Sequence, residues 1–156
     1  ETIQRFVQTT SHDCLRLFDV NLRYPFVDDT IIDQSLEIAN ALKLNDEELE
    51  YFAKRFALPA DPMAAMDRLL TKFQLSWVAL TRGPLGAILA KPGEWHSLPA
   101  VKTQVVDTVG AGDAFSAVLA LGILYQKPFS TILGEAIKVA SYVCGHRSAT
   151  PSFERL

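Results

Sequence analysis

The sequence predicts an α/β fold with a mostly parallel sheet and an antiparallel edge hairpin. Two observations carry that expectation. Short apolar, β-prone runs alternate with stretches of helical length, which is the signature of helices layered on a parallel sheet. Two turn signals, Arg82-Gly-Pro-Leu-Gly86 and Pro92-Gly93, punctuate consecutive strand-like runs, which is the signature of an antiparallel hairpin at a sheet edge.

The elements follow in order. Residues 3–10 read as the tail of a helix, and Cys14 to Val20 as a short buried strand that ends in the polar group Asp19, Asn21 and Arg23. Pro25 closes that segment. A helix is expected from Asp29 to Ala39 and a strand from Ala41 to Leu44. Asn45 then has the chemistry of an N-cap, with Glu48 three residues on to complete a capping box, for a helix ending near Phe56. Asp61 and Pro62 suit the N-cap and first position of the next helix, which runs to about Phe73. Trp77 to Thr81 is β-prone, Ala87 to Ala90 pairs with it across the first turn, and Trp95 to Leu98 follows the second. Val101 to Val106 leads into Asp107-Thr-Val-Gly-Ala-Gly-Asp113, after which Ala114 to Tyr125 has helical length but cannot span a bilayer. The last helix is expected from Phe129 to Cys144, with Gly145 as its stop.

Composition sets outer bounds. The chain has 156 residues, is 49% hydrophobic and 21% charged, and carries a formal net charge of −3. That describes one globular domain or a piece of one, and the chain is read as a single partial domain over residues 1–156, opening on Glu1 without a Met. Mild acidity gives no electrostatic case for nucleic acid or for an anionic membrane surface. Cys14 and Cys144 lack a CxxC spacing, and His12, His96 and His146 form no metal-ligand cluster. With no signal peptide or membrane span in view, the expected location is cytoplasmic.

The glycine turn before Ala114 is where chemistry concentrates. Gly110, Ala111 and Gly112 would sit at a helix N-terminus, where backbone N–H groups lack intrahelical partners and glycines let an anion approach. Asp113 would stand beside that anion, where a reacting hydroxyl could be held. A tight turn with Asp113 as an ordinary first-turn acid is the other reading of the same spacing. Other nucleotide signatures fail: no Gly-x-x-x-x-Gly-Lys-Ser/Thr is present, and Phe115 stands where a dinucleotide fingerprint needs its third glycine.

Together these residues carry a family resemblance. Asp107-Thr-Val-Gly-Ala-Gly-Asp113 resembles the second signature of the ribokinase-like (PfkB-type) sugar kinases. Phe18-Asp-Val-Asn-Leu-Arg23 resembles the strand end of the fructokinase and 2-keto-3-deoxygluconate kinase branches. Asn45-x-x-Glu48 is similar to the family's metal and phosphate motif, and Thr81-Arg-Gly-Pro-Leu-Gly86 to its nucleotide loop. The matches fall in family order and cover the C-terminal half of that fold, so the resemblance implies a three-layer ribokinase-like core without its N-terminal half and lid.

The resemblance implies roles. Asp113 would be the catalytic base on the sugar hydroxyl, and the amides of Gly110, Ala111 and Gly112 the anion hole for the transferring phosphoryl group. Glu48 would act on Mg²⁺ through water, beside Asn45. Thr81, Gly83 and Gly86 would approach the phosphates and ribose of ATP, with Ala136 and Ala140 near adenine. Asn21 and Arg23, with Asp113, would face the substrate. A K⁺ site would draw on Asp107, Val109, Val143, His146, Ser148 and Ser152, although Ser148 replaces a glycine of the commoner pattern. The implied activity is ATP-dependent phosphorylation of a sugar, fructokinase-like first, with ketodeoxygluconate, ribose and nucleoside kinases as alternatives and a homodimer as the intact assembly. The isolated chain would lack turnover; a non-catalytic nucleotide-binding or interaction module is the reading from a different class.

Overall fold

The computed structural model describes residues 2–152. Helices α1 (Thr2–Gln8), α2 (Asp29–Ile38), α3 (Asp46–Phe56), α4 (Pro62–Lys72), α5 (Ala111–Leu124) and α6 (Phe129–Cys144) accompany strands β1 (Leu17–Asp19), β2 (Ala41–Asn45), β3 (Trp77–Thr81), β4 (Ala87–Lys91) and β5 (Glu94–Leu98). The sheet runs in the order β1-β2-β3-β4-β5. Strand β1 pairs parallel to β2 with Asp19 opposite Lys43, and β2 pairs parallel to β3 with Asn45 opposite Thr81. Helical crossovers make those pairings possible. The connections 82–86 and 92–93 are too short for a crossover, so β3, β4 and β5 form an antiparallel meander. The sheet is therefore mixed, as the alternation and the turn signals predict.

The chain divides into two compact units, residues 1–81 with 89–95 and residues 82–88 with 96–156.

In the first unit strands β2 and β3 are buried along nearly their whole length, with Leu42, Leu44, Val78 and Leu80 exposing no surface, while β1 at the edge is half-buried. Strands covered on both faces need such continuous apolar runs. Helices α3 and α4 cover them with Leu49, Phe52, Met66 and Leu69, and Phe56 stacks edge-on against Phe52 and Phe73 at centroid distances of 5.4 and 5.2 Å. Asp61 caps α4 as its residue type predicts, its Oδ2 accepting the Ala64 amide at 2.8 Å with Pro62 behind it, and Asp28, not singled out in the sequence, caps α2 through Oδ1 and the Thr30 amide at 2.8 Å. A surface network ties α2 to α3. Arg55 binds Asp33 at 2.7 Å and also Asp29, and the Tyr51 hydroxyl donates to Asp29.

In the second unit α5 and α6 form a hairpin across residues 125–128. Gly122 makes their close approach possible, since a Cβ there would lie 2.7 Å from Ile132 Cγ1. Phe115, Leu119, Ile132, Leu133, Ala136 and Val143 fill the contact. Gly145 ends α6 without the left-handed conformation expected of a glycine stop, at φ −77°. The last carbonyls are nonetheless taken: the Gly145 amide bonds Ser141 O at 3.3 Å and Tyr142 O at 3.1 Å, the His146 amide bonds Val143 O at 3.0 Å, and the Cys144 carbonyl accepts the amides of Val106 at 2.8 Å and Asp107 at 3.2 Å.

Candidate functional site

Within the first unit, the C-terminal ends of β1 and β2 gather a set of polar groups. Lys43 is only 6% exposed despite its charge, and its Nζ lies 3.0 Å from Asp19 Oδ1 on the neighbouring strand. A buried ammonium is tolerated only when paired, so the parallel register that sets Asp19 opposite Lys43 makes this lysine possible. Directly after β2, Asn45 Oδ1 accepts the Glu48 amide at 2.9 Å while Glu48 Oε2 accepts the Asn45 amide at 2.8 Å. That is a complete capping box. Glu48 does more, however: it is 4% exposed, and its Oε1 accepts the Leu22 amide at 3.1 Å. Leu22 sits between Asn21 and Arg23, both exposed, with Asn21 held at φ +46°. Thr81 Oγ1 donates weakly to the Leu44 carbonyl at 3.5 Å.

With both carboxylate oxygens of Glu48 accepting backbone amides, what remains are outer lone pairs that can receive water molecules. That suits an ion which keeps its hydration shell, as Mg²⁺ does, and does not suit direct coordination. Among the described residues no three His, Cys, Asp or Glu side chains cluster as metal ligands.

The second unit holds the glycine turns. Gly83 at φ +50° has open space where a side chain would go, so ligand atoms could approach its backbone. Gly86 differs. At φ +94° its Cβ would collide with the Leu98 carbonyl and lie 2.7 Å from Ala100 N, which makes it a packing glycine. Together with the bond from Arg82 N to Gly86 O at 2.8 Å, that packing fixes the turn on which Gly83 is presented.

Helix α5 begins at Gly110, at φ +83°, with no side-chain cap. Asp107 Oδ1 accepts the Val109 amide at 3.1 Å and shapes the approach, while the Ala111 amide turns back to Thr108 O at 3.2 Å. The amides of Gly112 and Asp113 have no acceptor among the described residues. The Asp113 side chain is exposed and makes no hydrogen bond or ion pair among them. A glycine-fronted helix start with open donors and a free carboxylate can bind an anion and hold a hydroxyl beside it. Of the expected run Gly110 to Gly112 only the Ala111 amide is engaged; the Gly110 amide, like those of Gly112 and Asp113, has no acceptor among the described residues.

The residues expected around K⁺ come together only in part. A Cβ on Gly110 would meet Ala149 Cβ and O at 2.7 Å, so the loop after α6 presses on the glycine turn. Its oxygens are largely engaged locally: Val143 O accepts the His146 amide at 3.0 Å, Ser148 Oγ the Thr150 amide at 3.2 Å, and Ser152 O the Tyr142 hydroxyl at 2.7 Å. The His146 ring lies 4.3 Å from that of Tyr142, with Nδ1 2.7 Å from Tyr142 O. Burial, and then the Asp107 charge, push the Cys144 thiol up from its ordinary value, so it is a protonated packing residue. Ala136 exposes no surface, which corrects the expectation that it lines adenine: it belongs to the α5–α6 core, while Ala140 is half-buried.

Two residues of the first unit escape the sequence reading. Lys43 had a signal, a lysine between two leucines of an apolar strand. The Glu48–Leu22 bond had none, because its partners lie far apart in sequence and meet through a loop.

The profile of the pfkB family of carbohydrate kinases matches residues 3–156. The chain belongs to this family. The uncharacterised sugar kinase YegV of Escherichia coli (strain K12) is 32% identical over 155 residues, covering 92% of this chain and 45% of its own. A fructokinase of Klebsiella pneumoniae is 34% identical over 111 residues, covering 68% of this chain and 35% of its own. This pfkB-family chain therefore spans less than half the length of these curated relatives. Its fold is also that of a Pyrococcus horikoshii sugar kinase solved in complex with ATP, at TM-score 0.74 and 28% identity over 95% of this chain and 47% of that one. A Methanocaldococcus jannaschii nucleoside kinase of the ribokinase family shares the fold at TM-score 0.78 and 18% identity, over 94% of this chain and 46% of that one. No helix among the described residues is long and apolar enough to cross a membrane.

Proposed function

We propose that the protein transfers the γ-phosphoryl group of ATP to a hydroxyl of a sugar, in the manner of a fructokinase. The observation that carries the reading is the start of α5, where Gly112 and Asp113 present unengaged amides beside an exposed, unpartnered Asp113 carboxylate. Asp113 accepts the proton of the sugar hydroxyl as that oxygen attacks phosphorus. It is a weak base, which suffices because the transition state is loose and depends on positioning and charge stabilisation more than on early proton removal. The α5 amides stabilise the charge on the phosphoryl oxygens, already oriented before reaction. Glu48 would hold waters of the Mg²⁺ that accompanies ATP, an ion that would supply neutralisation of phosphate charge. Gly83 gives the nucleotide phosphates a close backbone approach, and Asn21 and Arg23 face the acceptor.

Family membership and the fructokinase relative support this reading, as does the ATP complex of the Pyrococcus protein. The test is ADP release by the full-length protein with ATP and Mg²⁺ across fructose, ribose, ketodeoxygluconate and nucleosides. Fructose should give the highest kcat/KM, and chelation of the metal should abolish turnover. ADP release with none of these acceptors would refute the reading.

A further inference from the structure

The acceptor-facing loop has a feature that the kinase reading leaves unused. Among the described residues, the Leu22 amide makes the hydrogen bond that ties residues 21–24 to another element, and its acceptor is Glu48 Oε1 at 3.1 Å. The strand end before it is fixed independently. Asp19 is paired with Lys43 at 3.0 Å, and the Val20 amide donates to Lys43 O at 3.1 Å. Past Val20 the chain turns through Asn21 at φ +46°, a left-handed conformation that costs free energy for a residue with a side chain and needs local support. Glu48 supplies that support from the first turn of α3. Its other oxygen holds the Asn45 amide, so one buried carboxylate is bonded to the end of β2 and to the loop after β1 at once.

We propose that Glu48 is a positioning residue for the acceptor loop: by gripping the Leu22 amide it sets the direction in which Asn21 and Arg23 are presented. This deepens the proposed function, and it rests on that reading only where Asn21 and Arg23 are taken to face the sugar. A carboxylate that touched nothing but hydrated metal would have no reason to be bound to this loop. One that did nothing but cap α3 would leave Oε1 free.

Amide hydrogen exchange on the unmodified chain gives the first test. Leu22 should be protected at least about tenfold relative to Asn21 and Arg23, as expected for an amide bonded to a charged acceptor. Exchange at Leu22 as fast as at its neighbours would overturn the proposal. In the near-isosteric Glu48→Gln the Leu22 protection should fall by about tenfold while Leu42 and Leu44 keep theirs, which shows the fold intact; unchanged protection at Leu22 would overturn it. The second arm is kinetic and uses the full-length protein. Glu48→Gln should raise the acceptor KM severalfold in addition to any change in the Mg²⁺ requirement, and an unchanged acceptor KM with only the Mg²⁺ requirement altered would overturn the proposal. The exchange arm needs no turnover, so it stands or falls separately from the kinase reading.

Discussion

Helices α3 and α5 both begin where the sequence places chemistry, yet their first turns are built in opposite ways. At α3 the Asn45 side chain and the Glu48 carboxylate each satisfy the other's backbone amide, and Glu48 is buried. At α5 the capping position is Gly110, no side chain caps the helix, and the amides of Gly112 and Asp113 stay open. A side-chain cap removes the orphan donors of a helix start and stabilises it. An uncapped start keeps those donors, together with the positive end of the helix dipole, for something else. On the proposed reading α3 has a supporting role and α5 receives the anion. It also explains why the same pattern of acid near a helix start means different things at Glu48 and at Asp113.

Four substitutions can break or sharpen this contrast. The largest effect should come from Asp113→Ala in the full-length protein, with kcat lower by roughly 10²–10⁴-fold and the KM for ATP little changed. Thermal melting should move little, because Asp113 has no partner among the described residues to lose. Near-normal turnover would remove it from the role of base. Gly110→Ala comes next. Its left-handed φ costs about 1–2 kcal/mol for a residue with a Cβ, and that Cβ would press on Ala149, so the melting temperature should drop by several degrees and ATP binding should weaken with it. At the other helix, Asn45→Ala should cost about 1 kcal/mol of stability, within a range of roughly 0.5–2, and titration calorimetry should find nucleotide binding affected far less than in Gly110→Ala. If the two variants weakened ATP binding equally, the contrast between the two helix starts would fail.

The smallest effect is electrostatic and belongs to the first unit. The Tyr51 hydroxyl bonded to Asp29, helped by Arg55, holds the Asp29 carboxyl below its ordinary value against the opposing effect of burial. A carboxyl whose pKa is depressed in the folded state contributes stability that is present above its unfolded value, near 3.9, and is lost as pH falls through the lower folded value. Acid titration of stability should therefore show a shallow loss below about pH 4 that is reduced in Asp29→Asn. The group is exposed and screened, so the loss should be small. An acid limb of the same depth in the variant would show that the network contributes nothing.

Most of the fold was legible because local chemistry and tertiary packing agree. Helix α6 runs from Phe129 to Cys144 as its pattern predicts, and the caps at Asn45 and Asp61 are those their residue types favour. Gly145 shows where local reading stops. There the Val106 and Asp107 amides reach across to the Cys144 carbonyl, and nothing near Gly145 encodes that contact. The candidate site was legible at its glycines, where positive φ at Gly83 and Gly110 leaves few alternatives, and at Asp113. It was illegible where the site is built from a contact across the chain. The buried Lys43 depends on Asp19 in the next strand, and the second bond of Glu48 depends on a loop that returns to it. Ala136 errs the other way, a small residue on a helix that packs in the core and never reaches the surface.

The central claim is that the open start of α5 receives the phosphates. It is tested most directly by titrating the isotope-labelled chain with a non-hydrolysable ATP analogue and Mg²⁺ while following the backbone amide resonances. The account predicts that the Gly112 and Asp113 amides shift downfield in a saturable way, with Gly83 moving and the Phe129 to Ile132 start of α6 unperturbed. Saturable nucleotide binding that leaves Gly112 and Asp113 unmoved would contradict it.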